Sequence, residues 1–265
     1  MEKQKIKIVS GYSGEGGSTQ IWINLTNLFN NNGYDATFYG PHKFHIDKCN
    51  GKHINEFSFE PDDILLCHVI GIQERPNVKK VIYVSHEKWW GKVQDDNKFW
   101  DIAVFNHQEH KDYHTDYTGP YTFIPNPKSS LEPKDKPHLD LIAGVIGTVE
   151  ERKQTHKSIE RALEDGCEKV YICGVCNRET DYYKTYMKQY ENDKRIIYFG
   201  YINNKQGMYD SIGRVYHSSL GEVACLVKDE CQQTNTKFFG CDETSHEISP
   251  LDNREILKLW EQLWT

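Results

Sequence analysis

The sequence predicts an α/β fold built from two doubly wound, Rossmann-like domains. Three observations carry the prediction. The chain opens with a strand, a glycine-rich loop, a helix pattern and a second strand. Several short apolar runs then follow, each closed by a polar residue, as in a parallel sheet buried on both faces. The same alternation resumes after a stretch rich in Pro, Ser and Lys, which marks a boundary between two domains.

Ile6, Ile8 and Val9 make the first strand, and Gly11, Gly14, Gly16 and Gly17 crowd the loop after it. Ile21, Leu25, Leu28 and Phe29 recur at helical spacing, and residues 30–33, ending in Gly33, stop that helix. Residues 35–39 are the next strand. A glycine-rich loop at a helix N-terminus presents backbone N–H groups and the positive end of the dipole, a natural phosphate cradle. The glycine spacing is not that of a dinucleotide fingerprint. Runs 63–68, 81–86 and 102–107 end on His68, His86 and His107. Ligands of parallel sheets sit outside the carboxyl ends of strands, so these three histidines are candidates for chemistry. Trp89 and Trp90, with Lys88 and Lys92 beside them, read either as a stacking platform for a sugar or base or as a pair of which one packs in the core. His107, His110 and His114 share one helix face, which reads as a solvated polar face rather than a zinc site.

Residues 123–137 read as the linker. Beyond it come a strand at 139–146, a loop carrying Gly147, Thr148, Arg152 and Lys153, and a helix with Ile159, Ala162 and Leu163. Further strands fall at 170–174 and 196–202, a short helix carries Met208, Tyr209 and Ile212, and a last strand spans 237–241. Residues 254–264 form an amphipathic closing helix with Ile256, Leu257, Trp260, Leu263 and Trp264.

A chain of 265 residues with 32 Lys and Arg against 39 Asp and Glu carries a net charge of −7, which excludes a general polyanion binder. Mean hydropathy is −0.73, and no apolar run approaches the ~18 residues of a membrane span. The first ten residues lack the apolar core of a signal peptide, so a cytoplasmic location with eight reduced cysteines is expected. Cys173 and Cys176 form a Cys-x-x-Cys with no second pair at zinc spacing.

The most informative stretch is His217-Ser-Ser-Leu-Gly-Glu222-Val-Ala-Cys-Leu-Val-Lys-Asp-Glu230. Two carboxylates bracket an apolar segment, which suits a loop turning into a buried helix. Each acid there needs a donor or a ligand hydroxyl. If the whole stretch were helical, the two carboxylates would stand roughly 12 Å apart, about the reach from a sugar ring across a diphosphate to a ribose. Read without further context, they are two helix-surface carboxylates.

This stretch resembles the Glu-x7-Glu motif of retaining GT-B glycosyltransferases of the "group 1" family. Ser218 and Ser219 precede the first glutamate and Leu226 matches the motif leucine. Val223 and Cys225 stand at its two glycines and Val227 at its proline. The resemblance implies two domains facing across a cleft, residues 1–127 on the acceptor side and 128–253 holding the donor. The closing helix, 254–264, would pack back on the first domain. It also implies a nucleotide-diphosphate sugar donor, bound by Gly16, Gly17, Arg152, Lys153, Gly200, Tyr201, Glu222 and Glu230. Lys153 falls on the family's diphosphate-clamping lysine, whereas the clamping arginine position falls on Thr148, leaving Arg152 as the substitute. Glu222, His86 and Lys153 would act on the reacting sugar and diphosphate. Trp89, Trp90, His68 and His107 would lie on the acceptor side.

No metal or other cofactor is expected, in keeping with the absence of an Asp-x-Asp triplet. The acceptor is open: a glycan, a lipid, a protein or a modified nucleic-acid base. The short chain suits a minimal enzyme, viral or otherwise. Two readings compete with sugar transfer. One is a sugar-nucleotide epimerase or hydrolase on the same scaffold, which would need no acceptor. The other is a non-catalytic nucleotide-sugar-binding module, which would bind donor without turnover.

Overall fold

The structure is a computed structural model that describes residues 3–72, 74–88, 99–135 and 139–264. The chain divides into two compact units, Met1–Lys128 with Ser249–Thr265, and Ser129–Ile248.

The first unit contains β1 (Lys5–Ser10), α1 (Gly17–Asn31), β2 (Asp35–Gly40), β3 (Gly51–His53), β4 (Ile64–His68), β5 (Lys80–Val84), β6 (Ile102–Phe105), α2 (Gln108–Asp112) and β7 (Tyr121–Phe123). Its seven strands run in the order β3-β2-β1-β4-β5-β6-β7, with every pair parallel. Successive side chains of a strand point to opposite faces, so an all-apolar run feeds two cores at once. Ile6, Ile8, Ile64, Leu66 and Ile82 pack with Trp22, Leu25 and Phe29 of α1 on one face. Val9, Leu65, Cys67, Val81 and Tyr83 pack with Trp100 and Tyr117 on the other. The strand order reverses between β1 and β4, and Gly11 lies just past that point. A Cβ on Gly11 would stand 2.0 Å from the Val69 carbonyl oxygen, so only glycine lets the loop leave β1 here.

The closing helix of this unit, α6 (Asn253–Glu261), starts with a capping box in which Asp252 and Glu255 each accept the other's backbone N–H. Its Ile256, Leu257 and Trp260 join the core against α1, with Trp264 just past its end. Phe29 meets Trp260 and Trp264 edge-on at 6.0 and 5.7 Å, and the Tyr34 hydroxyl donates to Glu261 at 2.7 Å.

The second unit contains β8 (Ile142–Ile146), α3 (Thr155–Glu164), β9 (Lys169–Cys173), β10 (Ile196–Gly200), α4 (Lys205–Tyr209), β11 (Arg214–Tyr216), α5 (Leu226–Gln233) and β12 (Lys237–Phe239). Its strands run β10-β9-β8-β11-β12, again all parallel. The order reverses between β8 and β11. Ala143, Val145, Val170 and Ile172 pack with Ile159 and Ala162 of α3 on one side. Val215 packs with Met208, Tyr209, Ile212 and Cys231 on the other.

Three features depart from the sequence reading. β3, β7 and β11 are three-residue strands that the sequence reading did not assign, and β7 lies where the linker was expected to begin. A π-helical segment, Tyr183–Met187, occupies a stretch given no assignment. The histidine face is not solvated: His110 and His114 are buried. α2 is only five residues long, and both imidazoles turn inward. Their Nε2 atoms lie 3.3 and 3.1 Å from Ser85 Oγ and 3.1 and 3.0 Å from the Glu87 carbonyl oxygen. These polar partners satisfy the rings away from water.

Candidate functional site

The switch point of a doubly wound sheet is where ligands bind, and in the second unit the loops after β8 and β11 meet there. β8 exits through Gly147, whose φ of +130° is open to glycine and costly for other residues. The chain makes a single 3-10 turn at Glu151–Lys153 and enters α3 through Gln154 in the left-handed region. β11 exits directly into His217. The two loops are tied by Leu220 N–H donating to the Arg152 carbonyl at 2.8 Å and by Arg152 Nη1 donating to the Gly221 carbonyl at 3.2 Å.

This brings Lys153, His217 and Glu222 together. The Lys153 ammonium and His217 Nε2 both bond Glu222 Oε1, the imidazole at 2.9 Å. The side chains of Lys153, Glu222 and His217 are 18%, 11% and 4% exposed, so the cluster is largely shielded from solvent. Burial pushes the Glu222 carboxyl up. The His217 hydrogen bond and the Lys153 charge outweigh that push and hold it well below the usual carboxylate range. The site therefore presents an oriented anion paired with a cation on a four-carbon stem. That cation can be passed to an incoming phosphate while His217 keeps Glu222 in place.

The helix expected after the loop is α5, which begins at Leu226, so Glu222 lies in the loop and Glu230 on the helix. Cys225 is the helix N-cap residue, and its N–H donates to His246 Nε2 at 2.9 Å. Burial pushes the Cys225 thiol up to about 12. Lys228 Nζ donates to the Thr244 and His246 carbonyls, both at 2.7 Å, tying the following segment to α5. Glu230 is 2% exposed and fully engaged. Its Oε1 accepts from Ser129 Oγ at 2.9 Å and from Lys205, and its Oε2 accepts from the Tyr209 hydroxyl at 2.9 Å. Gly200 ends β10 with φ +69°, next to Tyr201, and Phe199 before it is half exposed and packs edge-on to Tyr171 at 5.0 Å.

In the first unit, Gly16 is the N-cap residue of α1 and Gly17 its exposed first residue; no side chain caps that N-terminus. His68 ends β4 and His86 follows β5. Their rings lie 5.3 Å apart, and Trp22 of α1 packs on His86 at 4.7 Å. His68 Nδ1 lies 2.9 Å from Ser10 Oγ and 3.4 Å from the Trp22 indole nitrogen, which ties the ring to β1 and α1. Burial lowers the His68 pKa to about 3, so its approach to Glu87 at 3.8 Å is not an ion pair. Burial, with His68 beside it, also lowers His86 well below its ordinary value. His107 caps α2, its Nδ1 accepting from His110 N–H at 3.2 Å. Trp89 and Trp90 lie outside the described residues.

Sequence reasoning gave no role to His217, Lys205 or Ser129. His217 carried a usable signal, a polar residue closing a strand just as His68 and His86 do. The other two are linked to Glu230 only through the fold.

No protein-family model and no curated protein sequence matches the chain. Among solved structures, the chain is similar over 98% of its length to HepE of Anabaena in complex with UDP and glucose. The TM-score is 0.70 and the identity 12%, with 89% of that chain covered. WaaG, a glycosyltransferase involved in lipopolysaccharide biosynthesis, aligns with TM-score 0.66, 9% identity, and 98% and 90% of the two chains covered. A glycosyltransferase involved in avilamycin A biosynthesis aligns with TM-score 0.64, 14% identity, and 98% and 93% covered. At such identities the likeness establishes the fold, the two-domain α/β architecture of GT-B glycosyltransferases. Among the described residues no helix is long and apolar enough to cross a membrane.

Proposed function

We propose that this chain is a retaining glycosyltransferase that moves a sugar from a nucleotide-diphosphate sugar to an acceptor hydroxyl without a metal. The observation that carries the reading is the Lys153–Glu222–His217 cluster at the switch point of the second sheet. Similarity of fold to HepE, a protein with UDP and glucose bound, supports a donor of that class.

In this reading residues 128–253 hold the donor, and residues 1–127 with the closing helix 254–264 serve the acceptor. Lys153 leaves Glu222 to neutralise the departing diphosphate, assisted by Arg152 and by the N–H groups at Gly16 and Gly17. Glu222, kept ionised and oriented by His217, accepts from sugar hydroxyls, and His86 borders the sugar. Glu230 takes ribose hydroxyls by exchanging one of its present donors, Ser129 or Lys205. Gly200 and Tyr201 border the base. Trp89, Trp90, His68 and His107 are assigned to the acceptor side. The acceptor hydroxyl attacks from the face the diphosphate leaves. Its proton passes to the departing phosphate, so the protein's task is to stabilise charge and fix the sugar.

A thermal-shift panel of nucleotide sugars headed by UDP-glucose tests the reading. A true donor at 100 times its Kd adds about 2.7 kcal/mol of stability. No shift from any nucleotide sugar, with the chain folded, would refute it.

A further inference from the structure

We propose that His217, Glu222 and Cys225 form a binding site for a thiophilic divalent ion, Zn2+ above all, and that the ion competes with the nucleotide sugar. The ligand atoms of these three side chains all lie within 4.8 Å of one another. Among the described residues no other group of His, Cys, Asp and Glu side chains converges in this way. Imidazole nitrogen, carboxylate oxygen and thiolate sulfur at 2.0–2.3 Å are the zinc ligand set, and a tetrahedral site places them about 3.3–3.8 Å apart. His217 Nε2 and Glu222 Oε1 stand at 2.9 Å, so they must open by about half an ångström. Cys225 need close by no more than roughly an ångström.

The ligands come from one nine-residue loop, His217 to Cys225, pinned at its ends and its middle. His217 N–H bonds the Phe239 carbonyl at 3.0 Å, Leu220 N–H bonds the Arg152 carbonyl at 2.8 Å, and Cys225 N–H bonds His246 at 2.9 Å. Such support holds the donors close to their working positions before the ion arrives.

Binding displaces protons and the Lys153 ammonium. The Cys225 thiol gives its proton to solvent as the sulfur–metal bond forms. His217 binds through a bare Nε2, so a proton on that nitrogen leaves as the nitrogen–metal bond forms. Lys153 withdraws from Glu222 towards solvent. Three protein ligands leave a fourth position for water. The ion takes the carboxylate that the sugar hydroxyls would need, so it inhibits rather than assists. The competition rests on the function proposed above; the metal binding does not.

Titration of the whole chain with cobalt(II) chloride, followed by zinc displacement, tests the site. One equivalent should bind and give a thiolate-to-cobalt charge-transfer band in the near ultraviolet. That band should vanish in Cys225→Ser, weaken in His217→Ala and persist in Cys241→Ser. Serine is itself a good helix N-cap, so Cys225→Ser should retain the fold, which circular dichroism checks. No band, or a band that survives Cys225→Ser, overturns the site. Calorimetric titration with UDP-glucose should then show donor affinity at least tenfold weaker with one equivalent of zinc. Cobalt binding with unchanged donor affinity keeps the site and overturns the competition. Cobalt binding in a chain that takes no nucleotide sugar overturns the competition and the proposed function together.

Discussion

Replacing Lys153 with alanine separates a donor clamp from a structural ion pair. An ammonium near 4 Å from a single charge is worth about 4 kcal/mol at an effective dielectric of 20. Lys153 does not start free, however: it already pairs with Glu222, and their side chains are 18% and 11% exposed. Moving it to a diphosphate exchanges one strong contact for another. The net gain is then that of a charged hydrogen bond, about 1.5–3 kcal/mol. Lys153→Ala should weaken nucleotide-sugar binding about 10- to 150-fold, measured calorimetrically. Glu222 would keep its His217 bond, so the variant should remain folded with a modestly lower Tm. Unchanged donor affinity in a folded Lys153→Ala protein would show that the lysine only balances Glu222, and would refute the clamp.

Acid should destabilise the protein through its buried histidines. Burial lowers both His68 and His110 to about 3, so each is neutral in the fold and takes up a proton on unfolding below its ordinary value of 6.5. Their contribution is complete above pH 6.5 and falls steadily towards pH 3, costing about 2 kcal/mol each at pH 5. Urea midpoints that stay flat between pH 7 and 5 would contradict this, and His68→Gln should flatten the slope. Trp260→Ala removes a side chain 3% exposed against Phe29 and Trp264, and should cost about 3–5 kcal/mol in chemical denaturation. A loss under 1 kcal/mol would mean that α6 adds little to the core.

Most strands were legible because parallel strands buried on both faces leave unbroken apolar runs. Residues 64–68 and 81–84 are examples, and their closing residues mark the edge where ligands bind. The closing helix was legible from Ile256, Leu257, Trp260 and Trp264. The loop-to-helix turn between Glu222 and Glu230 was legible from polar residues giving way to an apolar run. β3, β7 and β11 were not, since three residues make a weak period, although β12, equally short, was assigned. His110 and His114 were misread because α2 ends at Asp112, so they share no helix face, and because spacing does not say which way an imidazole points. Ser85 and the Glu87 carbonyl, distant in sequence, draw both rings inward. The same limit hid the partners of Glu230, since Ser129 is 101 residues away and Lys205 is 25.

The most direct test of the central claim is the anomeric configuration of the product, read by proton NMR coupling, with an α-linked nucleotide sugar as donor and EDTA present. The account predicts an α-glycoside, formed undiminished in the chelator. Glu222→Ala should form the same anomer about 10²–10³-fold more slowly, the scale of losing one preorganised polar contact. A β-glycoside, or turnover abolished by EDTA and restored by a divalent metal, would contradict it.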